Sequence, residues 1–281
     1  MKLIECPRDA MQGLHEFIPT HLKAEYINLL LQVGFDTIDF GSFVSPKAIP
    51  QLRDTSEVLA QLDLTDTKTK LLAIVANLRG VEEAVRHKEI NYLGFPFSIS
   101  ETFQQRNTNS SIAQSLTTVE EMLNLCDQNQ KTAVVYLSMG FGNPYGDEWN
   151  VEIVEKWAEE LVNRGVKILS LADTTGVSTP EKIKTILHVL VNRFKQTEIG
   201  IHLHSTPFTR LEKIEAAYEA GCKRFDSALK GFGGCPMAAD DLTGNLATED
   251  LIAYLQSKGE NLDLNLEKWN EAMLMSTKVF A

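Results

Sequence analysis

The sequence predicts an α/β fold, a closed (β/α)8 TIM barrel, on three observations. Short apolar runs alternate with amphipathic helical stretches eight times along the chain. The runs are apolar at nearly every position, as strands covered by helices on both faces are. With 281 residues and 43% hydrophobic content, the chain can bury a barrel-sized core. An open doubly wound sheet is the alternative. No linker-like or low-complexity stretch divides the chain, so residues 1–281 read as one domain, with 262–281 as a C-terminal helical extension.

The elements follow in order. Leu3 to Cys6 is a short strand ended by Pro7, and Arg8 to Gln12 reads as a loop. Leu22 to Val33 carries Tyr26, Ile27, Leu30, Leu31 and Val33 at helical spacing, and Gly34 ends it. The next run, Asp36 to Val44, is strand-like to about Phe40, and a weaker helix spans Thr55 to Leu62. Strand Lys70–Val75, helix Gly80–His87 and strand Tyr92–Phe97 lead to the polar segment Gln104–Ser110 and a long helix over Ser111–Asn129. Strand Ala133–Met139, loop Gly140–Gly146 and helix Val151–Arg164 make the fifth unit. Strand Lys167–Ala172 pairs with a helix from Pro180, a first-turn residue, to Phe194. The seventh strand begins near Ile199, with its helix at Arg210–Ala220. The eighth is Arg224–Leu229, followed by a Gly-rich loop and helix Thr248–Lys258.

Charge and cysteine usage exclude several classes. A net charge of -11 argues against nucleic-acid or anionic-membrane surfaces, which need an excess of Lys and Arg. The four cysteines, Cys6, Cys126, Cys222 and Cys235, form no CxxC pair and read as reduced thiols. Reduced thiols suggest a cytoplasmic enzyme or scaffold; the first residues lack the pattern of a signal peptide, and no apolar run approaches a membrane span.

In a barrel the chemistry sits in the loops after the strand ends, and the unusual polar residues fall there. Arg8, Asp9 and Gln12 follow strand one, and Asp39 and Ser42 lie on or after strand two. Tyr136 and Ser138 lie on strand five, and Asp173, Thr174 and Thr175 follow strand six. Strand seven carries His202 and His204, two residues apart, so their imidazoles share a face and can reach one ion. A buried hydrogen-bonded pair is the alternative reading of that spacing. Asp9 offers a carboxylate and Asn245 an amide oxygen, and such a mixed N/O set suits Mg²⁺ or Mn²⁺, with Zn²⁺ or Co²⁺ possible. Taken singly, Asp9 also reads as a loop cap or a partner of Arg8, and Asn245 as a turn residue after Gly244. The loop Gly231–Pro236 either gives backbone amides to a phosphate or permits a mobile turn. Its thiol, Cys235, is either a proton-transfer group near neutral pH or a small buried residue, the reading kept for the other three cysteines.

Pro7-Arg8-Asp9 with Gln12, Ser42-Phe43-Val44-Ser45-Pro46-Lys47, Asp173-Thr174-Thr175-Gly176, His202-Leu203-His204, Gly231 to Pro236, and Gly244 to Asp250 together resemble hydroxymethylglutaryl-CoA lyase, in order and over nearly the whole chain. The Arg-Asp and His-x-His elements mark the wider superfamily of metal-dependent barrel lyases, aldolases and Claisen-type synthases. The Gly-Gly-Cys-Pro loop and the Ser42–Lys47 stretch are narrower signals for the lyase branch.

The resemblance implies cleavage of 3-hydroxy-3-methylglutaryl-CoA to acetyl-CoA and acetoacetate with a divalent metal, and it suggests a homodimer. It assigns Asp9, His202, His204 and Asn245 as metal ligands, Cys235 as the loop thiol, and Arg8 as the enolate-stabilising arginine. Asp39, Ser42, Tyr136, Ser170, Asp173 and Asp250 fall on substrate-side positions, and Asn107 on the segment near the acyl-CoA. Asp39, Asp173 or His202 would tune the base for the substrate hydroxyl. The chain departs from the family in reading Asp9-Ala10-Met11-Gln12 for Asp-Gly-Leu-Gln and in being one residue short before Pro7. It also has Asp39 for a glutamate, Ser205 for an aspartate and His15 for a lysine. These changes leave a related 3-hydroxyacyl-CoA as an alternative substrate. A synthase or aldolase of the superfamily and a non-catalytic binding barrel are further alternatives.

Overall fold

The computed structural model describes residues 1–234 and 243–280. Eight parallel strands close into a barrel in chain order: β1 (Lys2–Glu5), β2 (Thr37–Ser42), β3 (Lys70–Ile74), β4 (Tyr92–Ser98), β5 (Thr132–Ser138), β6 (Ile168–Asp173), β7 (Glu198–Leu203) and β8 (Arg224–Ser227). β1 pairs with both β2 and β8, so no sheet edge is left and the open-sheet alternative is excluded.

The helices are α1 (Pro7–Gln12), α2 (Thr20–Val33), α3 (Thr55–Leu59), α4 (Leu78–Ala84), α5 (Glu101–Thr108), α6 (Ile112–Gln128), α7 (Val151–Asn163), α8 (Pro180–Arg193), α9 (Arg210–Glu219), α10 (Thr248–Ser257) and α11 (Leu266–Val279). Their starts follow from polar caps. Asn77, Ser100, Ser111, Asn150 and Thr179 each accept a first-turn N–H with the side chain, and Ser111 with Gln114 forms a reciprocal capping box. Gly34 ends α2 at φ 97°, a backbone state that a side chain disfavours.

Two segments differ from the sequence expectation. Arg8–Gln12, expected as a loop, is helix α1. Pro7 sits at its first turn, where a missing N–H costs nothing, and burial of Met11 anchors it. The polar segment from Gln104 is largely helix α5, which buries Phe103 and Gln104 and ends at Asn109 with φ 54°. Polar side chains hide such a helix because tertiary contacts, not an apolar stripe, hold it.

The main core lies between the strands and the helices around them. A smaller group, Leu72, Tyr92, Val134, Tyr136 and Ile168, packs inside the barrel, and its Tyr136 reaches up to the cavity at the strand ends. α11 packs on α2 through Tyr26 against Phe280, and Trp269 meets Phe35 at the C-terminal side of α2. Among the described residues no helix is long and apolar enough to cross a membrane.

Candidate active site

A cavity of about 390 Å³ opens at the C-terminal ends of the strands, and Arg8, Asp9, Gln12, Ser42, Tyr136, His202 and His204 line its inner part. α5 walls its outer part through Phe103, Arg106 and Asn107. Residues from α1 just after β1, from β2, from β5 and from the end of β7 thus share one space because parallel strands deliver their C-terminal ends to the same rim.

Asp9, His202 and His204 each offer a ligand atom, all within 4.8 Å of one another. Each imidazole is oriented from behind. His202 Nδ1 lies 3.3 Å from Asp226 Oδ2, and His204 Nδ1 lies 3.1 Å from the Thr174 carbonyl, which leaves the Nε2 atoms for an ion. His204 Nε2 is buried with no hydrogen-bond partner in the protein. A nitrogen lone pair sealed from solvent beside a carboxylate fits a divalent cation, so the residues present suit the metal that the motif implies. Asn245 stands next to this group. Its Nδ2 donates to Asp9 Oδ2 at 2.7 Å and to the Phe232 carbonyl at 2.8 Å, and its backbone bridges His204.

The charges are strongly biased. Burial alone would raise the Asp9 pKa, but the Arg8 guanidinium and the two imidazoles bring it down to about 2, so it is an anion. Burial and the neighbouring His202 lower His204 to about 4, which keeps it neutral and able to coordinate. Burial works against a charged His202 as well, yet the hydrogen bond to Asp226 and the Asp9 charge raise it above its ordinary value.

Arg8 is a buried fork. Its Nε donates to both oxygens of Asp39, its Nη2 to Asp39 Oδ2 at 2.6 Å, and its Nη1 to Asp9 at 3.0 Å and Gln12 at 2.8 Å. Gln12 in turn donates to Asp9 Oδ1 at 2.7 Å. Burial raises the Asp39 carboxyl to about 6 despite Arg8. Asp39 is itself off the cavity wall and acts on it through Arg8.

The remaining expected residues divide. Ser42, Tyr136 and Asn107 line the cavity. Ser170 lies deeper in the barrel, fully buried, with its hydroxyl unpartnered. Asp173 is not brought to the wall. Its oxygens accept from Ser178 and, at 2.8 Å, from Lys213, whose ammonium also donates to the His204 carbonyl at 2.8 Å. A carboxylate so engaged anchors strand ends and is not free to take a proton from substrate. Asp250, half exposed, pairs with Arg210 at 2.7 Å, away from the cavity wall. Cys235 lies outside the described residues. Cys6, Cys126 and Cys222 are free and buried, and burial pushes Cys126 to about 11 and Cys222 to about 12. These three are packing residues and not nucleophiles. Asp226 and Arg106 escaped the sequence reading. For Asp226 the signal was present, a carboxylate within the apolar run after Arg224, whereas Arg106 reaches the wall only because α5 folds over it.

A family model described as HMGL-like matches residues 3–275. The chain belongs to the HMGL-like family. Within it, hydroxymethylglutaryl-CoA lyase of Bacillus subtilis (strain 168) is 36% identical over 262 residues, 93% of this chain and 87% of the relative. The crystal structure of the Bacillus subtilis HMG-CoA lyase superposes with a TM-score of 0.91 at 34% identity, covering 99% of this chain and 92% of that one. An HMG-CoA lyase from Acinetobacter baumannii, solved in complex with coenzyme A and 3-methylmalate, gives 0.89 at 32% identity over 97% and 88% of the two chains. The family resemblance of the HMGL-like chain therefore extends from its motifs to the whole barrel.

Proposed function

We infer that this HMGL-like protein is a divalent-metal-dependent carbon–carbon lyase that cleaves 3-hydroxy-3-methylglutaryl-CoA to acetyl-CoA and acetoacetate. The observation that carries the reading is the convergence of Asp9, His202 and His204 beside the Arg8 fork at the base of the cavity. A non-catalytic barrel would have no reason to keep a buried, unpartnered His204 Nε2 there.

Asp9, His202, His204 and Asn245 would hold the ion, and their mixed N/O set without thiolate favours Mg²⁺ or Mn²⁺. Bound there, a divalent cation supplies Lewis-acid polarisation of substrate oxygens. The reaction removes the proton of the tertiary hydroxyl, breaks the bond between the carbinol carbon and the carbon next to the thioester, and leaves a ketone and a thioester enolate. Arg8 is fixed by two carboxylates, so its charge can face the enolate oxygen without reorganising. Of the three groups expected around the hydroxyl proton, only His202 lines the cavity; Asp39 and Asp173 act at a distance, through Arg8 and Lys213. Cys235 is the candidate that returns a proton to the enolate carbon. Ser42, Gln12 and Tyr136 shape the acyl end, and Asn107 on α5 faces the acyl-CoA arm. Ser170 and Asp250 support the site from the barrel interior and the rim. The chain is read as one catalytic domain, cytoplasmic and homodimeric, serving leucine catabolism.

The test is acetoacetate release from 3-hydroxy-3-methylglutaryl-CoA by reduced protein with Mg²⁺, with Mn²⁺ and with chelator. Release that requires metal is expected. A protein that binds metal yet leaves this substrate intact would shift the reading to a related 3-hydroxyacyl-CoA, with Asp39 and Ser205 as the residues that changed it.

A further inference from the structure

Below the two histidines the barrel interior carries polar atoms that the protein itself does not satisfy. Strand register sets Tyr136 of β5 beside Ser170 of β6, and Ser170 beside Gly200 of β7. Ile201 pairs with Phe225, which brings Gly200 next to Arg224 of β8. The glycine makes room for the arginine: a Cβ at Gly200 would come within 2.8 Å of the Arg224 Cδ. Two residues on, Asp226 points to the same face of β8 and pairs in register with His202.

Arg224 is fully buried. Its Nη1 reaches Glu198 at 3.3 Å on the barrel floor, but Glu198 also holds Lys2, so that ion pair is shared. The Nε and Nη2 of Arg224, the Tyr136 hydroxyl, the Ser170 hydroxyl and Oδ1 of Asp226 are all buried without a protein partner. The register places Tyr136, Ser170 and Arg224 in one layer of the barrel interior, with Asp226 one step above Arg224 on the same face. Donors from an arginine and two hydroxyls, together with one carboxylate oxygen in neighbouring strand positions, offer the two to four polar partners that a buried water needs. An arginine placed only for stability would have its N–H groups matched by protein acceptors.

We propose that ordered water joins Arg224, Tyr136 and Ser170 to the free oxygen of Asp226, and that Arg224 is thereby a positioning residue for His202 as a metal ligand. The inference rests on reading His202 as a ligand. The logic is that of an outer hydrogen-bond shell: Asp226 takes the Nδ1–H of His202, and the arginine with its water holds the Asp226 carboxylate in the orientation that aims Nε2 at Asp9 and His204.

The test is the Kd for Mn²⁺, read as free Mn²⁺ by electron paramagnetic resonance, on full-length wild type, R224M, R224K and H202A. R224M is expected to weaken Mn²⁺ by roughly 10- to 100-fold while keeping wild-type far-ultraviolet circular dichroism, and R224K to recover part of the loss. R224M binding within about twofold of wild type would overturn the role of Arg224. H202A binding Mn²⁺ like wild type would instead overturn the ligand reading beneath it. A high-resolution crystal structure of the wild-type protein covers the case in which R224M does not fold. Water within hydrogen-bond distance of both Arg224 and Asp226 Oδ1 supports the inference, and a dry or directly bonded Asp226 rejects it.

Discussion

At the scale of single residues, the site turns on how burial and charge oppose each other. Arg8 meets two carboxylates in a fork geometry that an ammonium cannot copy, so Arg8→Lys should lower kcat by about 10²- to 10³-fold while Mn²⁺ binding persists. Steady-state kinetics beside a metal titration separates the two effects, and an unchanged kcat would remove Arg8 from enolate stabilisation. Cys235→Ala makes the complementary case. If the thiol transfers the proton, kcat falls by about 10²-fold or more with metal retained; equal turnover would leave it a packing residue like Cys6, whose thiol burial and nearby carboxylates hold protonated.

At the scale of elements, the junction of β1, the turn after β8 and α10 is held by one unusual carboxyl. Glu5, at the end of β1, accepts from the Leu229 N–H at 2.9 Å and lies 2.6 Å from the Thr248 hydroxyl at the start of α10. Burial raises it to about 8, against an ordinary 4.5. The folded protein therefore keeps a proton that the unfolded chain loses above its ordinary pKa. The stabilisation from that proton is complete below about pH 4.5, declines as pH rises, and is gone once pH passes about 8. Glu5→Gln should flatten this slope. It should be more stable than wild type at pH 9 by on the order of a few kcal/mol, measured by urea unfolding at pH 5, 7 and 9. Parallel slopes in the two proteins would mean that Glu5 is ionised in the fold. A second junction lies nearby: Phe280, just past α11, stacks on Phe232 at 4.6 Å, and the Phe232 carbonyl takes the amide of Asn245. The C-terminal helix thus buttresses the segment beside the site.

At the scale of the whole molecule, Asp9 of α1, His202 and His204 at the end of β7, and Asn245 before α10 meet only in the closed barrel. A cation that binds them stabilises the folded state alone. Mn²⁺ at about 100 times its Kd should add about 2.7 kcal/mol and raise Tm by a few degrees, roughly 5 °C. Asp9→Asn should abolish that shift. Calorimetry with Mn²⁺ and with chelator measures it, and an equal rise in Asp9→Asn would place the ion elsewhere.

The order of the eight units, the barrel they close and the shared facing of His202 and His204 are legible in the amino-acid sequence. Hydrophobic period and strand alternation are local properties, legible from neighbours a few residues apart. The sequence also marked Asp9, Asn245 and Arg8 through motif resemblance. Packing in three dimensions set the rest: Asp173 and Asp250 turn away to Lys213 and Arg210, α5 walls the cavity, and Asp226 stands behind His202. Those outcomes depend on which side chains meet across tens to hundreds of positions, where burial energy and charge pairing are set by packing and leave no periodic trace in the chain.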